Sequence, residues 1–94
     1  MYTGRRSEIE IIAEILMLSE KGIRKTEILY QANLSYKQLS SYLSILLEKD
    51  FLKENKLQNH NSNGTYMLYS RTEKGHELLT KINKILSLLR NDDL

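Results

Sequence analysis

Apolar residues along the chain fall into four helical rows, with one more extended stretch between the third and the fourth. Ile9, Ile12 and Leu16, with Ile11, Ile15 and Leu18 on an adjacent row, form a wide stripe over residues 7 to 19. Such width suits a helix packed against two neighbours. Ser7 and Glu10 at its start have the spacing of a capping box, and Gly22 supplies the left-handed position after it. Ile23 then adds a residue or two of extended chain. A short helix over 25 to 32 turns Ile28, Leu29 and Ala32 inward, and Asn33-Leu34 makes the turn that follows. The third row, Leu39, Leu43, Leu46 and Leu47, sits at i, i+4, i+7 and i+8 and predicts a helix over 35 to 49, capped by Ser35 with Gln38 three residues on. Two helices joined by so short a turn follow a helix-turn-helix plan.

The pattern then changes. Phe51 to Leu57 has strand character with imperfect alternation, and Thr65 to Tyr69 reads as a strand rich in aromatic and branched residues. Between them, Gln58-Asn59-His60-Asn61-Ser62-Asn63-Gly64 is all polar or glycine and marks an exposed turn. A hairpin over 51 to 69 directly after a helix-turn-helix predicts a winged helix.

Thr72 caps the last helix, which runs from 73 to 90 and is roughly 27 Å long at about 1.5 Å per residue. Leu78, Ile82, Ile85 and Leu89 step by four, three and four, the spacing of a coiled-coil seam, and Leu79, Leu86 and Leu88 widen it. A small winged helix covers only part of that length. The residues from Ile82 onward are therefore expected to be covered by a second copy, with Leu78, Ile82, Ile85, Leu86 and Leu89 as the dimerisation set. The fold class expected is mainly α with a β hairpin: a winged helix-turn-helix with an N-terminal basic arm over 1–71 and a long dimerisation helix over 72–94.

The polar face of the third helix is unusual. It carries Tyr36, Lys37, Ser40, Ser41 and Ser44, where a solvated helix normally spends Glu, Lys and Gln. Serines let a helix approach another surface closely and offer hydroxyls that donate or accept. That suits a helix lying in the major groove of duplex DNA.

Composition narrows the class without choosing the partner. The chain has 94 residues, 40% hydrophobic and 28% charged, as expected of one globular domain with a modest core. Its net charge of +2 permits nucleic-acid binding and is weak support for it. With no cysteine there is neither a disulfide framework nor a thiolate metal site. No apolar run approaches a membrane span, and Glu8, Glu10 and Glu14 break any signal-peptide shape, so a cytoplasmic, nucleoid-associated protein is expected. Neither a glycine-rich phosphate loop nor a grouped serine, histidine and acid is present, which argues against an enzyme. No cofactor, metal or small-molecule effector is implied.

Leu34 to Leu39, Tyr42-Leu43, Leu46 to Leu52 and Thr72 to Leu79 together resemble the small archaeal winged-helix proteins. These are predicted transcriptional regulators and include dimeric chromatin-associated DNA-binding proteins with a C-terminal antiparallel coiled coil. The resemblance covers nearly the whole chain after the basic arm. Asp50 departs from it, standing where winged helices usually carry glycine, and the wing has fewer basic residues than a typical phosphate-binding wing.

The resemblance implies a recognition helix starting at Ser35, with Tyr36, Lys37, Ser40, Ser41 and Ser44 facing the groove. Arg24 and Lys25 flank the DNA backbone, Lys53, Lys56, His60 and Arg71 line the wing and its stems, and Arg5 and Arg6 reach an adjacent groove. Tyr42, Tyr66 and Tyr69 read more simply as packing residues, and the His60 loop as solvated. The function implied is a homodimeric, double-stranded DNA-binding transcriptional regulator. Two alternatives stand beside it: a sequence-tolerant architectural protein, and a winged helix whose serine face docks on another protein.

Overall fold

The computed structural model describes residues 6–90. Helix α1 (Glu8–Leu18), α2 (Lys25–Ala32) and α3 (Tyr36–Glu48) precede strands β1 (Leu52–Gln58) and β2 (Thr65–Arg71), and α4 (Glu73–Arg90) closes the chain. Four helices and a two-stranded antiparallel hairpin make a winged helix. The hairpin lies one or two residues later than its apolar pattern predicts, with Leu52 opposite Arg71 and Gln58 opposite Thr65. Ile23 forms an isolated antiparallel bridge with Tyr69, so the extended residue before α2 becomes a one-residue third strand at the root of the wing.

Helix boundaries follow from local chemistry. The Ser7 hydroxyl accepts the Glu10 N–H at 3.2 Å while the Glu10 carboxylate accepts the Ser7 N–H at 2.9 Å. Ser35 and Gln38 repeat the arrangement at the start of α3, at 3.1 and 2.9 Å. Each pair satisfies two amides that a helix start leaves unpartnered. Gly22 does adopt a positive φ of 106°, but α1 ends earlier, at Ser19. The buried Ser19 hydroxyl donates to the Ile15 carbonyl at 2.7 Å.

Helices α2 and α3 end alike. Asn33 (φ 55°) and Asp50 (φ 64°) are left-handed, and the next amide reaches back to a carbonyl in the last turn of the helix: Leu34 to Leu29 at 3.1 Å, Phe51 to Leu46 at 2.9 Å. This is the Schellman arrangement, in which glycine is the least strained residue. Asp50→Gly is therefore expected to raise stability by about 0.5–1 kcal/mol, read as a higher denaturant midpoint at unchanged slope.

The core lies between α1, α2, α3, the wing root and the inner face of α4. Ile15, Leu16, Ile28, Leu39, Leu46 and Leu52 are almost fully enclosed, with Ala32, Leu43, Tyr69, Leu79 and Ile82 around them. One expectation for α4 is corrected here. Ile82 is only 5% exposed within the single chain, because α4 runs back along α1. Leu79, Asn83, Leu86 and Arg90 face Glu10, Ala13, Glu14 and Met17, and the Arg90 guanidinium donates to the Glu10 carboxylate. The Ser7 backbone N–H first, and then the Ser7 hydroxyl and Arg90, hold the Glu10 carboxyl below its ordinary pKa. What α1 leaves uncovered is the flank carrying Ile85, Leu88 and Leu89, at 54%, 62% and 76% exposure.

The joint between α3 and α4 is close. The Thr72 hydroxyl accepts the Gly75 N–H at 2.9 Å and donates to the Asp50 carbonyl at 2.6 Å. The α4 backbone thereby sits so near the turn after α3 that a Cβ on Gly75 would lie 2.1 Å from the Phe51 carbonyl oxygen.

Candidate nucleic-acid interface

Three surfaces meet around the start of α3. The first is the outer face of α3 itself. With Leu39, Leu43 and Leu46 buried, helical geometry turns Tyr36, Lys37, Ser41 and Ser44 outward; all four are exposed, while Ser40 is half-buried at the edge. Ser35 is exposed, yet its hydroxyl is already committed to capping the helix. Beside this face a shallow groove runs between α3 and the start of α1, lined by Glu8, Lys37, Gln38, Ser41, Tyr42 and Ile45. Tyr42 is a groove wall, with its phenol pushed up by burial and by the nearby Glu8, and Arg6 opposing.

The second surface is the start of α2. The Arg24 N–H donates to the Glu27 carboxylate at 3.1 Å, which leaves the guanidinium free to lie over the Tyr66 ring on β2, 4.3 Å from its centroid. Lys25 reaches the other way, with its ammonium 4.3 Å from the Tyr36 ring centroid and 3.3 Å from the Tyr36 hydroxyl.

The third is the wing. Every residue of β1 after Leu52 is exposed, including Lys53 and Lys56, and His60 is exposed in the connecting loop. Directly across from Glu54, Tyr69 is buried at the wing root. Burial pushes the Tyr69 phenol up, and the Glu54 carboxylate and Tyr36 act in the same direction. A phenol that holds its proton more tightly when folded contributes stability in full below the ordinary tyrosine pKa of about 10, and that contribution is lost as pH rises through the raised value. Stability is therefore expected to fall in alkali above about pH 10, and less steeply in Tyr69→Phe, by fluorescence-monitored unfolding across pH.

Two basic residues from the sequence-based set turn inward. Arg71 is half-buried, and its guanidinium donates to the Leu16 carbonyl at 3.1 Å, tying the end of β2 to α1. Arg6 pairs with Glu14 and donates to the Ala32 carbonyl at the end of α2, so it fastens the helix-turn-helix rather than extending as an arm. Carbonyls left open near a helix C-terminus are good acceptors for a guanidinium, which accounts for both captures. Arg5 lies outside the described residues.

The structure brings Arg24, Lys25 and Tyr36 together and sets Lys37, Ser41 and Ser44 further along the same helix. Tyr66, read from sequence as an ordinary strand residue, is the platform for Arg24. Its partner sits 42 positions earlier in the sequence, and no local pattern links the two. No group of three or more histidine, cysteine or acidic side chains suited to a metal occurs among the described residues.

A winged helix-turn-helix family model matches residues 5–90. The chain belongs to that family. It is similar to two uncharacterized proteins of Methanocaldococcus jannaschii. MJ0290 is 36% identical over 89 residues, which are 94% of this chain and 37% of that protein. MJ0287 is 30% identical over 88 residues, 93% of this chain and 80% of that protein. The chain thus spans little more than a third of MJ0290. Among solved structures, Sso10a-2, a DNA-binding protein from Sulfolobus solfataricus, superposes with a TM-score of 0.76 at 28% identity, over 92% of this chain and 84% of that one. The zinc-responsive MarR-family protein ZitR of Lactococcus lactis shares the fold, with a TM-score of 0.58 at 20% identity over 99% of this chain and 66% of that one.

Proposed function

We propose that this protein binds double-stranded DNA as a homodimer and regulates transcription, with α3 entering the major groove. The observation that carries the reading is the outer face of α3. It is left uncovered by its own fold, lined by Tyr36, Lys37, Ser41 and Ser44, and bordered by two cations and a wing. Small hydroxyl residues permit close approach to base edges, and Lys37 is placed to meet a phosphate or a guanine edge. Arg24 and Lys25 contact the backbone beside the groove, and Lys53, Lys56 and His60 contact it along the wing. The likeness to Sso10a-2, described as a DNA-binding protein, supports the same reading. The exposed flank of α4 at Ile85, Leu88 and Leu89 supplies the dimer contact. An apolar flank of this kind is the usual mark of an interface.

A salt titration tests it. Each phosphate contact releases counterions, so a dimer touching several phosphates is expected to lose affinity with a log–log slope of at least about four. A wild-type protein that binds no duplex at low salt removes the reading. One observation favours a second role, nucleoid architecture with little sequence preference: Lys37 is the sole cation on α3 before Lys49. Selection from random duplexes followed by footprinting separates the two, because a regulator protects a discrete palindrome and an architectural protein covers DNA uniformly.

A further inference from the structure

The two cations at the start of α2 are held by rings, not by carboxylates. Arg24 lies across Tyr66 of β2, and Lys25 lies across Tyr36, the first residue of α3. Among the described residues the ion pairs are Arg6–Glu14 and Arg90–Glu10, and neither involves these two cations. The one acidic residue in the first turn of α2, Glu27, is turned to the Arg24 backbone amide.

The distinction matters chemically. A carboxylate partner neutralises a cation and occupies the donors that an incoming anion needs. A ring face does neither: it holds a guanidinium by its plane and leaves the in-plane N–H groups directed outward. The ammonium of Lys25 spends one of its three donors on the Tyr36 hydroxyl and keeps the others. Because that hydroxyl accepts from Lys25, its own proton is free for another acceptor. Long basic side chains also lose rotamer freedom on binding, and a side chain already laid on a ring has less to lose.

We propose that Tyr66 and Tyr36 are positioning residues, holding Arg24 and Lys25 as two preset anchors for the phosphodiester backbone. The inference rests on the DNA-binding reading above and gives a mechanical role to the contact. Arg24 joins α2 to the wing and Lys25 joins α2 to α3, so both reading elements are fixed to one short helix. Among the described residues no ring lies under Lys37, which borders the groove between α3 and α1.

Duplex binding measured against salt in a double-mutant cycle tests this. Arg24→Ala is expected to weaken binding and to lower the salt slope by about one per subunit, as loss of one phosphate contact requires. Tyr66→Leu, with Arg24 intact, should weaken binding about threefold, the scale of an exposed cation–ring contact. The double variant should bind no worse than Arg24→Ala alone, because the ring acts only through the arginine. Tyr66→Phe keeps the ring face and should bind as wild type does. A parallel cycle of Tyr36→Leu with Lys25→Ala covers the case in which Tyr66→Leu fails to fold, since Tyr36 is 67% exposed and outside the core. Because Tyr36 also lines the face of α3, its loss can exceed that of the lysine, and the supporting result there is a double variant that loses less than the sum of the two single losses. Additive losses in the cycle, or full-strength binding by the leucine variants, overturn the proposal. Absence of any wild-type complex at low salt instead overturns the DNA-binding reading on which it rests.

Discussion

Gly75→Ala is expected to destabilise the protein by on the order of 3 kcal/mol, an unusually large effect for the addition of one methyl group. Alanine ordinarily favours a helix interior over glycine by about 1 kcal/mol, so propensity alone predicts the opposite sign. The clash decides it. The new Cβ would lie 2.1 Å from the Phe51 carbonyl oxygen and 3.1 Å from Cγ of Arg71. The first of these is a backbone atom, held where it is by the turn after α3, so the helix itself must move. Moving α4 lengthens the Thr72 bridge to Asp50 and lifts Leu79 and Ile82 from the core. A urea denaturation midpoint for the variant checks the effect. Stability equal to or above wild type would mean that α4 can slide without cost.

The second large effect concerns assembly. Ile85→Glu together with Leu89→Glu is expected to leave the fold intact and halve the mass found by light scattering, if the proposed dimer forms through this flank. Both positions are more than half exposed in the single chain, so the substitutions remove little intramolecular packing. Duplex affinity should then fall on the order of a hundredfold, because two linked half-sites become two independent ones. An unchanged mass would rule out this flank as the dimer contact. Substituting Ile82 would not be a clean test, since it is buried against its own fold.

Most of the fold was legible from spacing. The helical rows, the Ser7 and Ser35 capping boxes and the polar turn before Gly64 place the elements within a residue or two, because each is a local interaction written in neighbouring residues. The extent of α4's packing was not legible. Its heptad spacing describes a stripe without saying which neighbour covers it, and the α1 face beside it, around Ala13, lies outside the apolar stripe of that helix. The candidate interface was legible along α3 for the same periodic reason. It was not legible for Arg6 and Arg71, whose acceptors are backbone carbonyls and carry no sequence signature. Nor did the sequence distinguish a tyrosine that only packs, such as Tyr69, from one that also holds a cation, such as Tyr66.

The Ile23 bridge has a consequence for how the wing deforms. At its root, β2 is bonded on both edges: Tyr69 exchanges hydrogen bonds with Ile23 at 2.9 and 3.0 Å, and the Arg71 amide donates to the Ser19 carbonyl at 2.6 Å. Toward the tip, Thr65 to Leu68 pair with β1 alone. The hairpin backbone is therefore a cantilever, clamped at its root and steadied beyond it by side chains, Arg24 on Tyr66 among them. Amide protons near Tyr69 should exchange with solvent far more slowly than those near Thr65. A surface that meets the loop beyond Tyr66 can bend it without disturbing α3, while a load applied near the clamp passes straight into the helices.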